Sequence, residues 1–69
     1  MIIQYQDPNI FDLFEGDKLF MLQDSEVHVV SDIRKSLNIV YFEDGFGIGG
    51  DKNYKLHGVI LFRKVAIDI

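Results

Sequence analysis

Two histidines are the side chains of this chain that best suit acid–base or metal chemistry. His28 alternates with two valines and lies close to Glu26, and His57 begins a second apolar run. If these two strands paired, the imidazoles would meet. A catalytic or metal role also requires a third ligand or a nucleophile, but the chain has no cysteine and no serine with triad-like spacing. We therefore predict no enzymatic activity, no catalytic residue, no metal ligand and no cofactor.

The glycine-rich segment 45–50, Gly-Phe-Gly-Ile-Gly-Gly, has the G-x-G-x-x-G spacing of phosphate-binding loops. Such a loop needs a helix after it, and no amphipathic helix follows here. We instead predict a flexible hairpin loop that becomes ordered on a partner, with Phe46 and Ile48 packed inward or exposed. Asp44 and Asp51 flank the loop without the alternating oxygen ligands of a calcium site, so we expect turn residues.

One short helix is predicted near the N-terminus, over residues 8–15. Asp7 occupies the N-cap position, Pro8 the first helical position and Gly16 the position after the last turn. A helix of about two turns is marginal alone, so it must pack against the sheet or a partner. The side chains available for this packing are Ile10, Phe11, Leu13 and Phe14.

Residues 10–14 also resemble the short peptide by which bacterial proteins dock on the DNA polymerase sliding clamp. That peptide ends in Asp/Ser-Leu-Phe, which Asp12, Leu13 and Phe14 match, although Ile10 stands in place of its glutamine. The resemblance implies an extended docking peptide. The helical spacing of the same residues implies a face that packs on the core, and we favour this second interpretation.

The rest of the chain alternates apolar and polar residues and is rich in β-branched and aromatic residues, a pattern typical of strands. Asp24 and Ser25 favour a tight hairpin turn. Residues 32–37 fit either a wider loop or a single helical turn capped by Ser31 or Asp32. The predicted strands are residues 2–6, 18–23, 26–31, 38–43 and 57–63, with 65–69 as a further candidate.

We predict a single domain over residues 1–69 that is mainly β: a small antiparallel barrel-like or curled sheet with one short N-terminal helix. Residues 39–42 and 58–62 are apolar on both strand faces, whereas an antiparallel sheet open to water has one polar face. A closed barrel or a covering partner resolves this conflict. Because 69 residues with no disulfide form a thin core, yet 48% are hydrophobic, we expect a homo-oligomer.

Residues 14–63 resemble SH3-like small barrels of the KOW and Tudor type. Those domains open with Gly-Asp before a hydrophobic strand and continue as a meander, as do residues 16–19 (Gly-Asp-Lys-Leu) and the strand segments 26–33 and 38–42 here. The resemblance implies a small barrel. The chain lacks the second glycine of KOW repeats and has no evident aromatic cage, which argues against binding of nucleic acids or methylated peptides.

Charge is divided unevenly along the chain. Residues 1–32 contain seven acids and one base, a net charge of −6, and residues 33–69 contain six bases and four acids, a net charge of +2. Such a dipolar surface can orient a charged partner before contact. A sequence isoelectric point of about 4.8 argues against general nucleic-acid binding, which needs a basic stripe.

We therefore predict a non-catalytic domain that binds the basic surface of a protein partner through its acidic N-terminal half. Compact acidic proteins of this kind are typical of phages and mobile elements, where they inhibit a host factor such as a DNA-replication or nucleic-acid enzyme. The predicted contact residues are Phe11, Asp12, Phe14, Glu15, Asp17, Asp24, Phe46 and Ile48.

The alternative function is a nucleic-acid-binding small β-barrel that uses the basic C-terminal half. The first residues include no basic leader and no long apolar run, so we expect a cytoplasmic protein that does not enter a membrane. The basic side chains of the alternative are Arg34, Lys35, Lys52, Lys55, Arg63 and Lys64.

Overall fold

The computed structural model describes residues 2–64, which form one antiparallel sheet of six strands. The spatial order is β1-β6-β2-β3-β4-β5, so the sheet is open, with β1 and β5 at its edges. The strands are β1 (Ile2–Gln6), β2 (Lys18–Met21), β3 (Glu26–Arg34), β4 (Ile39–Phe42), β5 (Gly47–Gly49) and β6 (Val59–Lys64).

The mainly β prediction is confirmed, although the strand bounds differ in places. β3 continues to Arg34 because a register shift between Val30 and Asp32 accommodates an extra residue opposite β4. Part of the glycine-rich segment forms β5, which pairs with β4 and was not predicted as a strand. The candidate strand over residues 65–69 lies outside the described residues.

The predicted turn at Asp24 and Ser25 joins β2 to β3. Ser25 has a left-handed backbone with φ of 57°, and its N–H donates to the carbonyl of Met21 at 2.8 Å. The Asp24 carboxylate accepts the N–H of Glu26 at 3.0 Å. Short polar side chains thus satisfy this turn locally, as the sequence indicates.

The core lies on one face of the sheet. Leu19 of β2 is paired with Leu61 of β6 and with His28 of β3, and all three side chains are buried. The segment after β1 and the segment before β6 cover this face. The core residues are Ile10, Leu13, Leu19, Met21, Val30, Val40, Phe42, Leu56, Val59 and Leu61.

Part of the opposite face of the sheet is also apolar, as predicted for residues 58–62. Phe20 is paired with Ile60 on one side and with Val27 on the other. Val27 is 57% exposed and Phe62 is 42% exposed. At these side chains the second face is open to solvent.

The predicted helix over residues 8–15 is wrong, because the segment contains only one 3-10 turn, Ile10–Asp12. Leu13 then returns to extended backbone with φ of −95° and ψ of 151°. A 3-10 turn has three residues per turn, so it directs Ile10 and Leu13 together into the core. The i, i+3 spacing that predicted an α-helix is satisfied by this shorter structure.

The predicted cap at Asp7 is also wrong. Asn9 caps the turn, since its Oδ1 accepts the N–H of Phe11 at 2.9 Å. Asp7 adopts a left-handed backbone with φ of 48°, and its carboxylate accepts the N–H of Gly58 at 3.0 Å. Asp7 therefore ties the end of β1 to the start of β6.

A second 3-10 turn, Lys35–Leu37, joins β3 to β4. This agrees with the predicted alternative of a single helical turn, but no side chain caps its start. Asn38 ends it in a left-handed conformation with φ of 57°. Within residues 2–64, no helix is long and apolar enough to span a bilayer.

Candidate functional site

A groove of about 850 Å³ lies along β1, the end of β6 and the segment that follows β1. Tyr5 comes from β1, Leu61 and Arg63 come from β6, and Phe11 and Phe14 come from the segment. We call this surface the aromatic groove. Its polar lining includes Asp7, Asn9, Asp12, Asn53 and Lys55.

The segment that carries the phenylalanines is fixed by long-range backbone hydrogen bonds. The N–H of Ile10 donates to the carbonyl of Tyr54 at 2.8 Å, and the N–H of Leu56 donates to the carbonyl of Pro8 at 3.0 Å. Ile10 and Leu56 are fully buried. The groove wall is therefore anchored to the core, which presents its exposed side chains in a defined position.

Two phenylalanines are held at the surface. Phe11 is 50% exposed and Phe14 is 66% exposed. The ring of Phe11 packs edge-on against Tyr54 with 5.0 Å between centroids, and the Arg63 guanidinium lies 5.6 Å from the centroid of Phe14. Lys35 Nζ also lies 5.6 Å from the centroid of Phe11. These contacts support both rings, and the surface that stays exposed is available to another molecule.

The acids at this end of the molecule divide into two groups. Asp17 is occupied, since its carboxylate accepts from Arg63 at 2.9 Å and from the N–H of Phe14 at 2.8 Å. Asp12 and Glu15 are exposed, and within the described part of the chain their carboxylates make no hydrogen bond or ion pair. Three of the predicted contact residues, Phe11, Asp12 and Phe14, line the aromatic groove. Glu15 follows Phe14 in the chain.

The sliding-clamp resemblance covers residues that the fold separates. Leu13 is 2% exposed, whereas Asp12 and Phe14 are exposed. The triplet is therefore not presented as one continuous docking peptide in this conformation.

The other predicted contact residues lie elsewhere. Asp24 is in the β2–β3 turn, where it contacts His28. Phe46 is 42% exposed, and its ring centroid lies 5.8 Å from that of His28. Ile48 is half-buried and packs against the core. None of these three lines the aromatic groove.

His28 is held between two carboxylates in an arrangement that we call the histidine clamp. Its Nδ1 lies 2.6 Å from Asp44 Oδ2, and its Nε2 lies 2.8 Å from Asp24 Oδ2. His28 is only 6% exposed. A doubly protonated imidazole donates to both acids, and so joins the β2–β3 turn to the β4–β5 turn.

The clamp changes the pKa of each member. The hydrogen bond to Asp24 is the main cause that raises the pKa of His28 above 6.5, with Asp44 adding to it and burial opposing it. The same bond to His28 lowers the pKa of Asp24. The N–H of Phe46 is the main cause that lowers the pKa of Asp44, with His28 contributing. All these shifts favour the ionised clamp.

His57 forms a separate contact, because β2 lies between β3 and β6 and keeps the two histidines apart. The condition under which the two imidazoles would meet, pairing of their strands, is therefore not fulfilled. His57 Nε2 lies 2.7 Å from Asp51 Oδ2, and this hydrogen bond is the main cause that lowers the pKa of Asp51. The other carboxylate oxygen, Asp51 Oδ1, accepts from the N–H groups of Asn53 and Lys55.

Packing accounts for two glycines of the 45–50 segment. A Cβ at Gly47 would lie 3.0 Å from the ring of Tyr41, and one at Gly50 would collide with the side chain of Asn38. The predicted turn role of Asp44 is borne out, since its Oδ1 accepts the N–H of Phe46 at 3.0 Å.

Sequence reasoning missed the groove residues Tyr5 and Arg63 and the clamp. One signal was present, since Asp24, Glu26 and His28 alternate and alternate residues share a strand face. Comparison of the chain with models of protein families, with curated proteins and with solved structures gives no match. Function is therefore inferred from the geometry of these surfaces.

Proposed function

We propose that this protein is a non-catalytic protein-binding domain whose contact surface is the aromatic groove. The observation that carries the proposal is the exposure of Phe11 and Phe14, at 50% and 66%, in a concave surface of about 850 Å³. Completing the burial of a phenylalanine contributes up to about 1.5–3 kcal/mol. Aromatic side chains in pockets are also common binding hot spots.

The charges of the groove favour one kind of partner segment. Arg63 is neutralised by Asp17 at 2.9 Å, and Lys55 is a second base in the lining of the groove. Next to Phe11 and Phe14 in the chain, Asp12 and Glu15 are exposed without a counter-ion among the described residues. An apolar side chain next to a lysine or arginine would match this surface, with the apolar group on the rings and the cation near the acids. The proposed partner is therefore a protein with a basic, partly apolar segment.

The acid excess and small size extend the proposal to an inhibitory or accessory role of the type found in phages and mobile elements. A host DNA-replication or nucleic-acid enzyme presents a basic surface that would attract the acidic half. Direct nucleic-acid binding is the competing hypothesis. It is weakened because Arg34 pairs with Asp32 at 2.6 Å and Arg63 pairs with Asp17, which leaves fewer cations for phosphates.

Peptide selection tests the proposal and requires no named partner. A random peptide library is selected on the wild-type protein, and the affinity of each selected peptide is measured by fluorescence anisotropy. The variant Phe11→Ala/Phe14→Ala is compared with the control Val27→Ala, which removes an apolar side chain of 57% exposure from the opposite face of the sheet. We expect basic, apolar peptides, loss of binding in the double variant and retention in the control.

Equal peptide binding by all three proteins would contradict the groove assignment. Labelled single- and double-stranded DNA and RNA are measured in the same assay. Salt-dependent oligonucleotide binding, together with no selected peptide, would favour the nucleic-acid hypothesis instead. Circular dichroism of the double variant establishes that its fold is intact.

We also propose that β1 mediates self-association. It is an edge strand with the sequence Ile-Ile-Gln-Tyr-Gln, which contains no charge and no proline to block pairing with another strand. Ile2 is 68% exposed. Two antiparallel copies of β1 would extend the sheet across a two-fold axis.

Light scattering at tens of micromolar, the range expected for a modest interface, tests this self-association. We expect the mass of a dimer for the wild type and of a monomer for Ile3→Pro or Gln4→Pro. Because proline can also weaken the contact with β6, Ile2→Lys serves as a milder second variant. A wild-type monomer under these conditions would contradict the proposal.

A further inference from the structure

Two members of the histidine clamp, Asp24 and His28, form a candidate metal-binding group together with Glu26. Glu26 and His28 lie on β3 and Asp24 lies in the turn before it, and one ligand atom of each lies within 4.8 Å of the other two. This is the one such group of three among residues 2–64. Strand alternation places Glu26 and His28 on the same face, and the β2–β3 turn brings Asp24 to His28, with 2.8 Å between Asp24 Oδ2 and His28 Nε2.

The imidazole is already oriented for a cation. Asp44 lies 2.6 Å from Nδ1, which fixes the ring and keeps the proton on that nitrogen. Metal-binding histidines commonly donate their second N–H to a carboxylate in this way. Nε2 is thereby directed at Asp24, 2.8 Å away. A metal ion would replace the Nε2 proton, and the Asp24 carboxylate would move away from Nε2 to allow bonds of about 2.0–2.2 Å.

The proposed position of the metal ion can be reached from solvent on the side of Asp24 and Glu26. His28 is 6% exposed, but the side chain of Asp24 is 38% exposed and Glu26 is also exposed. The two carboxylates can therefore adjust around an entering ion while the imidazole stays fixed. Three protein ligands leave a fourth position for water in a tetrahedral site.

We propose that Asp24, Glu26 and His28 bind one divalent transition-metal ion of the zinc type, with Asp44 as the group that positions the imidazole. An imidazole nitrogen favours Zn²⁺ over Ca²⁺ or Mg²⁺, which prefer oxygen ligands. Binding replaces the Nε2 proton, which is released to solvent. The site is separate from the aromatic groove and does not depend on the function proposed for it.

Calorimetric titration with Zn²⁺, and absorption spectroscopy with Co²⁺ as a coloured substitute, test this site. We expect one ion per chain and a rise in melting temperature with added Zn²⁺, because an ion that binds the folded state stabilises it. Glu26→Gln removes a ligand at an exposed position and should weaken binding by about tenfold or more. Asp44→Asn should weaken it by about 10- to 100-fold through loss of imidazole positioning.

His57→Gln is the matched control, since it removes a histidine that also contacts an aspartate but lies in the segment before β6. It should leave Zn²⁺ affinity unchanged. The proposal would be overturned if the wild type did not bind Zn²⁺ at about 1 mM, because a dissociation constant above this value means negligible affinity. Binding that survives Glu26→Gln but is lost in His57→Gln would also overturn it. Because Glu26 is exposed, its variant should keep the fold, which circular dichroism checks.

Discussion

In the aromatic groove Phe14 keeps 66% of its surface exposed, whereas in the histidine clamp His28 keeps 6%. The groove leaves apolar surface in water, and the favourable free energy of burying that surface becomes available only when a partner binds. The clamp buries an ionisable ring against two carboxylates, so its interactions form when the chain folds. Under the proposed function, the groove serves recognition and the clamp serves stability.

The two regions are also held in different ways. Backbone hydrogen bonds to residues 54–56 position the groove segment, so its exposed side chains can change without loss of the wall. In the clamp, the side chains of His28, Asp24 and Asp44 themselves join two turns. Groove substitutions should therefore affect binding, and clamp substitutions should affect folding and its pH dependence.

The largest expected effect on stability comes from the floor of the groove. Leu61 is 2% exposed and is paired with both Tyr5 and Leu19. Leu61→Ala should reduce the free energy of unfolding by about 2–5 kcal/mol because it leaves a cavity in the core. Urea denaturation measures this loss. A change below about 1 kcal/mol would mean that this part of the core is loosely packed.

The clamp should give stability a distinct pH dependence. The pKa of His28 is raised above 6.5, so its contribution is complete below that pH and is lost as pH rises through the folded-state pKa. The pKa values of Asp24 and Asp44 are lowered below 3.8, so their contribution is complete above that pH and is lost on acidification. The clamp therefore stabilises the fold most between these two values.

Thermal unfolding measured within this pH range and well above its upper limit of 6.5, with a chelator present, checks the clamp. The wild type should lose stability above the upper limit, and His28→Gln should lack that component of the loss. His57→Gln is the control and should retain it. Identical alkaline profiles for the wild type and His28→Gln would show that the imidazole does not act as an ionised link.

Smaller losses of stability are expected at two polar residues of the groove lining, Asp7 and Asn9. Asp7→Ala removes the acceptor of the Gly58 N–H and should cost about 1 kcal/mol. Asn9→Ala removes the cap on the Phe11 N–H and should cost about 1 kcal/mol. Denaturant titration of both variants compares these costs. No change for Asp7→Ala would mean that the hydrogen bond from the Gly58 N–H to the Asp7 carboxylate does not contribute to stability.

The sequence predicts the strands well because alternation and β-branched residues report local geometry. β1 has its predicted bounds, and the Asp24-Ser25 turn follows from short-range polar contacts. The helix prediction failed at Ile10 because the spacing of its segment fits both α and 3-10 structure. The deciding backbone partner, Tyr54, is 44 residues away, and local propensity cannot include such a partner.

The groove and the clamp could also be predicted only in part, because some of their residues are distant in the sequence. The predicted packing of Phe11 and Phe14 on the core is wrong, since both are exposed, and their role as partner contacts stays a prediction. Tyr5 and Arg63 join them in the groove only through the pairing of β1 with β6. Asp44 is 16 residues from His28, so the clamp depends on the two turns being adjacent in the fold.

The smallest effect on stability should come from the groove surface itself. Phe14→Ala should change the free energy of unfolding by no more than about 0.5 kcal/mol, because Phe14 is 66% exposed and substitutions at exposed positions usually have small effects. Its contact with Arg63 is a surface cation–π pair. Urea denaturation of Phe14→Ala and Leu61→Ala compares the free energy of unfolding lost at the exposed surface of the groove with that lost at its buried floor. A loss comparable to that of Leu61→Ala would mean that Phe14 is a core residue in solution.

Mapping a selected peptide by ¹H–¹⁵N correlation spectroscopy tests the central claim most directly, because it reports contact at every backbone amide. We predict that peptide addition shifts resonances of Tyr5, Phe11, Phe14 and Arg63 and leaves Val27 unchanged. Shifts centred on Val27 and Phe62, with the groove unaffected, would contradict this and place the contact surface on the opposite face of the sheet.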